Sequence, residues 1–321
     1  MLVTGSTGFI GSNLVRVLLR KGYSLRLLVR DKSRAIGLNE AELFEGDLTE
    51  PRSLIGIEED INIVIHCAGL LGKWDTDETI LYKVNVQSSI NLLEKFNGKN
   101  LNRFIHLSAA GVTGPVKETP VDETYACKPV TAYEKTKYLA EQKILDLSSQ
   151  MDIPALVLRP TFTYGPGDPH KIPLFKAIKK GNYTFIGNGQ SVNHPVYIDD
   201  LVVGILHAVV KGRAGEVYII GGERPVTKKE LVYTIADALG VKRPKTKIPC
   251  SFALLASLIL EFLGRTFHFE PILTRTRVRM MTDNFGYSIQ KAKTELDYKP
   301  ETDLQDGIAK TVKNYIEKCL L

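Results

Sequence analysis

The 321-residue sequence predicts an α/β fold built on a doubly wound parallel sheet, joined to a smaller and mostly helical part. Two observations lead to this prediction. In the first half of the chain, short apolar runs alternate with longer runs in which apolar residues recur at helical spacing. From residue 165 onward this alternation gives way to turn-rich segments and helices.

The chain begins with a short apolar strand, a glycine-rich turn and a helix. Residues 1–11 read MLVTGSTGFIG, with glycines at positions 5, 8 and 11, and apolar residues then recur through Leu19 at helical spacing. Such a unit brings backbone N–H groups and a helix N-terminus up to a pyrophosphate, and a side chain at Gly5 or Gly8 would obstruct it. A glycine-rich turn that binds no ligand is the alternative, because three glycines alone are a weak signal.

The elements that follow continue the alternation. Strands are predicted at residues 25–29, 43–48, 61–67, 103–107 and 155–158, and helices at 81–96 and from Thr131 through Leu145. Arg159 and Pro160 are expected to end the sixth strand. Beyond the turn-rich junction at 165–169, we expect a basic helix over 174–180, a helix that begins at Asp199-Asp200 with an Asp as its N-cap, and a strand over 216–220.

Composition excludes several classes of function. The net charge of +6 comes from scattered lysines and arginines, and no basic stripe with interleaved aromatic residues indicates nucleic-acid binding. The four cysteines are far apart without metal-ligand spacing, so we expect no metal site and four free thiols in a reducing, cytoplasmic compartment. Because a strand is predicted to start at residue 1, we expect no signal peptide.

One apolar run, residues 252–263, is 12 residues long. That is too short to span a bilayer, so we expect no membrane span and a helix that is buried in the smaller part or docked on its surface.

The end of the second strand carries Arg30 followed by Asp31. In dinucleotide folds an acidic residue there accepts from the ribose hydroxyls of NAD, whereas an Arg favours the 2′-phosphate of NADP. The pair leaves the choice open, and a solvated charge pair with no ligand is a third interpretation.

Tyr133 and Lys137 carry the clearest chemistry, because they lie four residues apart on one predicted helix and project from the same face. An ammonium beside a phenol stabilises the phenolate and lowers its pKa, so the phenol can exchange a proton with a substrate hydroxyl near neutral pH. In a Lys-rich chain, such a pair alone is often two exposed surface residues with no catalytic role. Here the pair follows a glycine motif of the dinucleotide-binding type.

Together these motifs resemble an extended short-chain dehydrogenase/reductase of the NAD(P)-dependent epimerase/dehydratase family, over essentially the whole chain. The segments that carry the resemblance are residues 4–11 (TGSTGFIG, against the family's TGxxGxxG), 46–48 (GDL), 66–69 (HCAG), 84–86 (VNV), 133–137 (YEKTK, against YxxxK), 158–167, 196–200 (VYIDD) and 287–292.

The resemblance implies a Rossmann-type NAD(P)-binding domain over residues 1–165, with segments near 195–215 packing back on it, and a substrate-binding domain over 166–321. It implies one NAD or NADP per chain, bound by Gly5, Thr7, Gly8, Phe9, Ile10, Arg30, Asp31, Asp47, Leu48, Ala68, Gly69, Tyr133, Lys137 and Pro160. It also implies a small-molecule substrate contacted by Asn85, Thr163 and Asn193, and a homodimer built on the helices of Asn85 and Tyr133.

The implied reaction is hydride transfer, in which Tyr133 moves the hydroxyl proton while Lys137 lowers the pKa of that tyrosine and holds the nicotinamide ribose. The sequence departs from the family where a Ser or Thr should bond the reacting oxygen, because that position falls on Ala109. We assign the role to Ser108, within about 4 Å of the Tyr133 hydroxyl. The alternatives are Thr113 or weakened activity.

A second departure concerns the substrate. Sugar-nucleotide enzymes of the family place an Arg where this chain has Asn193, so a strong contact to a diphosphate is lost. One interpretation of Arg275, Arg277 and Arg279 is that they replace this contact to the diphosphate. The alternative is that these arginines form a solvated basic face of a helix. Residues 252–263 resemble an apolar helix of the 3β-hydroxysteroid dehydrogenase-like branch, with core packing as the alternative, and Arg30-Asp31 resembles the cofactor loop of dihydroflavonol reductase-like members.

The leading hypothesis for function is an NAD(P)-dependent epimerase or oxidoreductase acting at a secondary hydroxyl or ketone of a nucleotide sugar. The alternatives are a net NADP-dependent dehydrogenase or reductase on a less polar, sterol-like substrate, and a non-catalytic NAD(P)-binding scaffold.

Overall fold

The computed structural model describes residues 1–35 and 40–321, and its largest feature is a parallel sheet. In chain order, the strands are β1 Leu2–Thr4, β2 Arg26–Val29, β3 Glu42–Glu45, β4 Ile63–His66, β5 Arg103–Leu107, β6 Ala155–Pro160, β7 Phe162–Tyr164, β8 Phe185–Ile186, β9 Val192–Asn193, β10 Pro195–Tyr197, β11 Val217–Ile220, β12 Val226–Thr227 and β13 Lys247–Ile248.

The helices flank this sheet and form most of the smaller part. In chain order, they are α1 Phe9–Arg20, α2 Glu78–Tyr82, α3 Ser88–Glu94, α4 Ala132–Gln150, α5 Ile172–Lys179, α6 Ile198–Lys211, α7 Lys228–Ala238, α8 Cys250–Phe267, α9 Arg275–Thr282, α10 Gln290–Glu295 and α11 Leu304–Glu317. A π-helical turn at Lys83–Gln87 joins α2 to α3, and short 3-10 turns lie at Lys32–Arg34, Pro51–Leu54 and Ala110–Thr113.

The strand order of the main sheet is β11-β6-β5-β4-β1-β2-β3, with every neighbouring pair parallel. This is the doubly wound, Rossmann-type arrangement that the alternation of strands and helices predicts. The order reverses between β1 and β4, and in such sheets ligands bind beyond the carboxyl ends of the strands at that point. The loops that follow β1 and β4 therefore border the expected ligand site.

Apolar residues cover both faces of the sheet, which explains why its strands read as continuous apolar runs rather than alternating ones. On one face Val3 packs with Leu14 and Val15 of α1. On the other face Leu2 packs with Leu92 of α3 and Ile144 of α4. The sheet is thus held between helices on both sides, and α4 lies on the face opposite α1.

Segments beyond residue 165 return to this sheet. Strand β11 pairs with β6 in parallel register, and α6 packs against α1. The other later strands form two-stranded ladders: β7 with β10, β9 with β12, and β8 with β13. The later part of the chain therefore adds one strand and one helix to the dinucleotide-type sheet besides building its own helical layer.

Several local predictions need correction. Strand β6 continues through Arg159 and Pro160 instead of ending before them, because Pro160 lies at the last position of the ladder with β11. Helix α6 begins after Tyr197, and its N-cap makes no side-chain hydrogen bond, so the Asp N-cap expectation is wrong. Asp200 instead accepts from the backbone N–H groups of Glu301 and Thr302 at 3.0 and 3.2 Å.

The apolar run at 252–263 lies within an 18-residue helix, α8, that is docked on the surface of the smaller part, so the first of the two expectations, core packing, is wrong and the second, surface docking, holds. Its buried residues are Ala253, Ser257, Glu261 and Gly264. Large apolar side chains are exposed instead, with Phe252 at 61% and Phe262 at 69%. In length and apolar composition α8 is able to cross a membrane, the one such helix in the described residues, although core helices of soluble proteins meet the same two criteria.

Candidate active site

The glycine turn lies at the reversal point of the sheet, directly after β1. Gly5 adopts a φ of +67°, and a Cβ there would lie 2.7 Å from the backbone nitrogen of Ala68, in the loop after β4. A Cβ at Gly11 would lie 2.2 Å from the Gly5 carbonyl oxygen. These two glycines are therefore required by the close approach of the β1 turn, the β4 loop and α1.

Gly8 has a different surrounding. A Cβ there would meet only the Gly5 carbonyl oxygen, at 3.2 Å, and Thr7 and Gly8 are exposed. Helix α1 starts at this position with no side-chain cap and no acidic residue in its first turn. The free N–H groups and the positive end of the helix dipole therefore face an open cradle, which fits the phosphates of a dinucleotide. Phe9 and Ile10 are half-buried and pack on the core beneath this turn.

The residues predicted to bind the adenosine end follow β2 and β3. Arg30 is exposed, and Asp31 caps the 3-10 turn at Lys32–Arg34 by accepting from the Ser33 N–H and hydroxyl at 2.9 and 2.6 Å. Asp47 accepts from the Thr49 N–H and hydroxyl, both at 2.8 Å. Burial acts to raise the pKa of the Asp47 carboxyl, but these hydrogen bonds and the charges of Arg30 and Lys83 together outweigh it and hold that pKa below its ordinary value.

Leu48 is buried and lies next to Asp47, so its side chain belongs to the core. Its carbonyl oxygen accepts from the Asn91 amide of α3 at 2.8 Å, which fixes this loop to the helix layer. Packing and hydrogen bonds thus hold residues 47 and 48 in place beside the end of β3.

Asn85 joins the loop after β4 to α4. Its Oδ1 accepts from the Leu70 N–H at 2.7 Å, and its Nδ2 donates to the Leu70 carbonyl and to the Thr136 hydroxyl, both at 3.0 Å. The residue is 1% exposed. Both polar atoms are used within the chain, which gives Asn85 a positioning role, and its contact to substrate stays a prediction. The π-helical turn that carries Asn85 turns its side chain toward this loop, a feature common at functional sites.

Gly69 lies on the surface of the same loop. A Cβ there would lie 3.3 Å from Asn85 Oδ1 and 3.8 Å from Lys137 Nζ. Ala68 is anchored from the other side, because its N–H donates to the Thr4 hydroxyl at 3.3 Å. The loop therefore passes between the end of β1 and the helix that bears the Tyr-Lys pair.

Helix α4 presents Tyr133 and Lys137 one turn apart near its N-terminus. Thr131 caps the helix by accepting from the Glu134 N–H at 3.2 Å, while Glu134 Oε2 accepts from the Thr131 N–H at 2.9 Å. This reciprocal capping box fixes the first turn, in which Tyr133 is the second residue. Lys137 is buried, and its Nζ donates to the Leu107 carbonyl oxygen of β5 at 2.5 Å.

The electrostatics of the pair differ from the expectation. Burial, and secondarily the Glu134 carboxylate, raise the pKa of Tyr133 to about 12. Burial lowers the pKa of Lys137 to about 8. The prediction that Lys137 lowers the pKa of Tyr133 is therefore wrong for this geometry, because loss of solvation dominates the phenol and the ammonium donates to Leu107.

Ser108 follows β5 with regular extended geometry. Its N–H donates to the Leu158 carbonyl at 2.8 Å, which continues the sheet ladder, and Ala109 is extended with φ −154° and ψ 142°. Alternation therefore places Ser108 on the same face as Phe104, which packs with Ile144 of α4. Ser108 is 6% exposed, and its hydroxyl has no hydrogen-bond partner among the described residues.

Thr113, the alternative to Ser108, is engaged elsewhere. It is fully buried, and its hydroxyl donates to the carbonyl oxygens of Ala110 and Gly114 at 3.1 and 2.9 Å. Its oxygen also lies 3.4 Å from the Tyr287 hydroxyl. A hydroxyl with these partners is a structural part of the turn after β5, whereas the Ser108 hydroxyl is free to accept or donate.

A buried histidine pair beneath the site escaped the sequence analysis. His66 Nδ1 lies 2.7 Å from the Thr4 hydroxyl, its Nε2 lies 2.8 Å from the Ser89 hydroxyl, and Ser89 donates to the Asn85 carbonyl at 2.8 Å. Both ring nitrogens of His106 lack partners within the described chain. Burial and the nearby Lys137 lower the pKa of His66 to about 3, and that of His106 falls well below its ordinary value.

Pro160, predicted to bind the cofactor, ends β6, and two of the predicted substrate residues, Thr163 and Asn193, lie in the short strands that follow. Pro160 is buried, and Thr163 in β7 donates to the Thr161 carbonyl at 3.2 Å. Asn193 in β9 turns its Oδ1 back onto the His194 N–H at 3.0 Å. His194 is buried, and its Nε2 lies 2.8 Å from the Gly222 carbonyl oxygen.

The arginines expected to compensate at a diphosphate are each occupied. Arg275 pairs with Glu261 at 2.8 Å, Arg277 with Glu270 at 2.6 Å and Arg279 with Asp283 at 3.1 Å. All three guanidinium groups keep substantial exposure, so this is a basic face on which every charge already has a carboxylate partner.

The four cysteines are unpaired, and burial disfavours the thiolate form of two of them. Burial raises the pKa of Cys67 to about 12, and burial also raises that of Cys127. Cys127 Sγ accepts from Arg159, whose guanidinium forms a buried ion pair with Glu141. Both thiols therefore remain protonated near neutral pH.

Comparison with known proteins agrees with this geometry. The model of the NAD dependent epimerase/dehydratase family matches residues 1–221. Human short-chain dehydrogenase/reductase family 42E member 1 is 30% identical, with 96% of this chain and 86% of that protein covered. The mouse sterol-4-alpha-carboxylate 3-dehydrogenase, decarboxylating, is 26% identical, with 98% and 90% covered.

Among solved structures, UDP-glucuronic acid 4-epimerase from Bacillus cereus in complex with NAD superimposes with a TM-score of 0.78. It is 25% identical and covers 100% of this chain and 99% of its own. The likeness therefore extends over both the sheet and the smaller part.

Proposed function

The chain belongs to the NAD dependent epimerase/dehydratase family and is an enzyme, and we propose that it is a net NAD(P)-dependent dehydrogenase or reductase acting on a secondary alcohol or ketone of low polarity. One observation carries this proposal. At the position where a diphosphate would need an Arg, Asn193 uses its side-chain oxygen on the neighbouring His194 N–H. The names of the family 42E and sterol dehydrogenase relatives support it.

The residues at the reversal point of the sheet fit the dinucleotide. The α1 N-terminus and the cradle over Gly8 would hold its phosphates, while Arg30, Asp31 and Asp47 stand at the adenosine end. Gly69 and Lys137 would border the nicotinamide ribose. When bound, the dinucleotide supplies or accepts the hydride at the carbon being reduced or oxidised.

Tyr133 is the proton donor of the proposed reduction. A phenol with a pKa near 12 is protonated throughout the physiological range, so it is ready to give its proton to a carbonyl oxygen that gains negative charge. Lys137 places a predominantly positive charge one turn away, because its pKa of about 8 lies above neutral pH. The proposed role of this ammonium is to hold the nicotinamide ribose rather than to shift the pKa of Tyr133.

Ser108 is proposed to donate its hydroxyl to the same carbonyl oxygen. It is buried, lies on the sheet face that α4 covers, and has no partner within the described chain, so bonding the substrate would not require breaking an existing hydrogen bond. Asn85 is a positioning residue. Its hydrogen bonds to Leu70 and Thr136 hold the loop after β4 and the helix of Tyr133 in place.

A second candidate, nucleotide-sugar epimerisation, is supported by the likeness to UDP-glucuronic acid 4-epimerase over the full chain. The division into domains at residue 165 and a homodimer through the helices of Asn85 and Tyr133 are further proposals that rest on the family resemblance.

Incubation with reduced NAD or NADP separates the two candidate functions. A net reductase oxidises the reduced cofactor when a polycyclic ketone such as a 3-ketosteroid is added, and does not change UDP-glucuronic acid. The proposal would be contradicted if the purified protein isomerised UDP-glucuronic acid and retained its cofactor. The same result requires that no ketone causes net oxidation of the reduced cofactor.

A further inference from the structure

Helix α8 turns small and polar residues toward the protein and large apolar residues toward solvent, which is the reverse of the usual arrangement in a surface helix. The side it turns to the protein carries Ala253, Ser257, Glu261 and Gly264. The side it turns outward carries large apolar residues, which we call the α8 stripe: Phe252, Leu255, Leu258, Ile259 and Phe262, exposed by 61, 59, 49, 54 and 69%. Their spacing of three and four residues makes one continuous apolar face. Contiguous exposed apolar surface of this kind marks an interaction site.

The inner side of α8 is fixed to the protein. Glu261 Oε1 accepts from the Arg275 N–H at 2.7 Å, and its Oε2 accepts from Arg275 Nε at 2.8 Å. Ala253 packs with Ile186 and Val278, and a Cβ at Gly264 would lie 2.6 Å from Pro271. Detaching the helix to cross a bilayer would expose Glu261 to hydrocarbon. The helix is therefore suited to lie along a surface rather than to span one.

The charges around the α8 stripe indicate which surface. Lys242, Lys245 and Lys247 precede the helix, are exposed, and have no ion-pair partner in the part of the chain that the structure describes. Arg265 lies three residues after Phe262, on the same side of the helix, and is likewise exposed. The only acidic residue of α8 is Glu261, which is buried and paired with Arg275. Basic groups beside an exposed apolar helix face complement anionic lipid headgroups.

We propose that the α8 stripe docks the protein on the surface of an anionic lipid bilayer, with α8 lying in the plane of the interface. A second copy of the chain fits the same face less well, because an isologous contact would bring the basic groups of both copies together and each chain carries a net charge of +6. The proposal does not depend on which substrate the active site accepts.

Vesicle flotation of the full purified chain tests this proposal. The vesicles are phosphatidylcholine alone and phosphatidylcholine mixed with phosphatidylserine. We expect the protein to float with the mixed vesicles and much less with the neutral ones. The Leu255→Gln/Phe262→Gln double variant should partition at least about tenfold more weakly, because it removes two anchoring side chains.

A matched control is Ile55→Gln/Val210→Gln, which replaces two apolar residues that are 75 and 70% exposed far from α8 in sequence. It should float like the unmodified protein. Lys245→Gln/Lys247→Gln should weaken binding to the mixed vesicles by about fivefold per lysine, and should not change binding to neutral vesicles.

The proposal is overturned if the protein floats with neither vesicle type or if the double variant floats as well as its control. It is also overturned if the double variant converts a dimer to a monomer by light scattering while no vesicle binding is seen. Circular dichroism confirms that each variant is folded, and turnover at the active site reports separately on the proposed function.

Discussion

At the scale of single residues, the site contains two hydroxyls that the sequence offers for one role, Ser108 as the assignment and Thr113 as the alternative. The structure distinguishes them by their partners. The Thr113 hydroxyl donates to two backbone carbonyls, whereas that of Ser108 is buried without a partner in the described chain. A hydroxyl kept free in a buried position is costly unless it serves a ligand.

Replacing these residues one at a time makes the first prediction. Ser108→Ala should lower kcat by about 100-fold, because one hydrogen bond to the reacting oxygen is lost, and should leave the free energy of unfolding nearly unchanged. Thr113→Val is the control: it should reduce the free energy of unfolding by about 1–3 kcal/mol with kcat largely retained. Steady-state kinetics and urea unfolding measure both. The reverse pattern would assign the role to Thr113.

At the scale of elements, the first turn of α4 places Tyr133. Thr131→Ala removes the side-chain acceptor of the capping box and should cost about 1 kcal/mol of stability. Because Tyr133 is the second residue of the helix, we also expect a drop in kcat of about tenfold, since a displacement of 1 Å is able to cost up to about 100-fold.

Helix α7 offers a matched control for that variant. Thr227 caps α7 by accepting from the Glu230 N–H at 3.0 Å, which is the same kind of side-chain cap without the reciprocal glutamate bond, on a helix that does not bear the Tyr-Lys pair. Thr227→Ala should lose similar stability, measured by urea unfolding, and keep its kcat. Equal kcat values for the two variants would show that the cap of α4 has no part in placing the phenol.

Strands β4 and β5 bring His66 and His106 together in the sheet, with ring centroids 5.3 Å apart. Burial lowers the pKa of both, to about 3 for His66, so the folded protein keeps them neutral. The unfolded chain protonates each histidine below about pH 6.5. The two histidines therefore cost no stability above that pH. The free energy of unfolding decreases as the pH falls from about 6.5 toward the folded pKa values.

His106→Leu should reduce this loss, because it removes one of the two groups. The slope of unfolding free energy against pH should fall by up to about 1.4 kcal/mol per pH unit below about pH 6.5. His170→Leu, at an exposed position, is the control and should keep the slope of the unmodified protein. Urea unfolding across this pH range gives both slopes, and a His106→Leu slope equal to that of the control would refute the assignment.

At the scale of the whole molecule, the sheet and the place of its ligand site follow from the sequence, because they rest on local signals. The glycine spacing, the apolar strands and the strand–helix alternation act within about 20 residues of one another. Strand β5, for example, has the predicted bounds Arg103–Leu107. The family assignment also follows from these motifs and is confirmed by the match over residues 1–221.

What escaped prediction depends on contacts between distant segments. The pKa of Tyr133 is set by burial that only the folded site creates. The amide of Asn85 is occupied by Leu70 and Thr136, 15 and 51 residues away. Composition does not predict the outward apolar face of α8, because the same residues would suit a core helix. The side that faces inward is fixed by the pairing of Glu261 with Arg275, which only the folded chain shows.

The most direct test of the central claim compares Tyr133→Phe with Tyr138→Phe, which alters a second tyrosine of the same helix. The rate of oxidation of reduced NAD or NADP is measured with a polycyclic ketone as substrate. The account predicts substrate-dependent oxidation by the unmodified protein and by Tyr138→Phe, and a rate about 10²–10⁴-fold lower for Tyr133→Phe. A Tyr133→Phe variant that turns over as fast as the unmodified protein would contradict it.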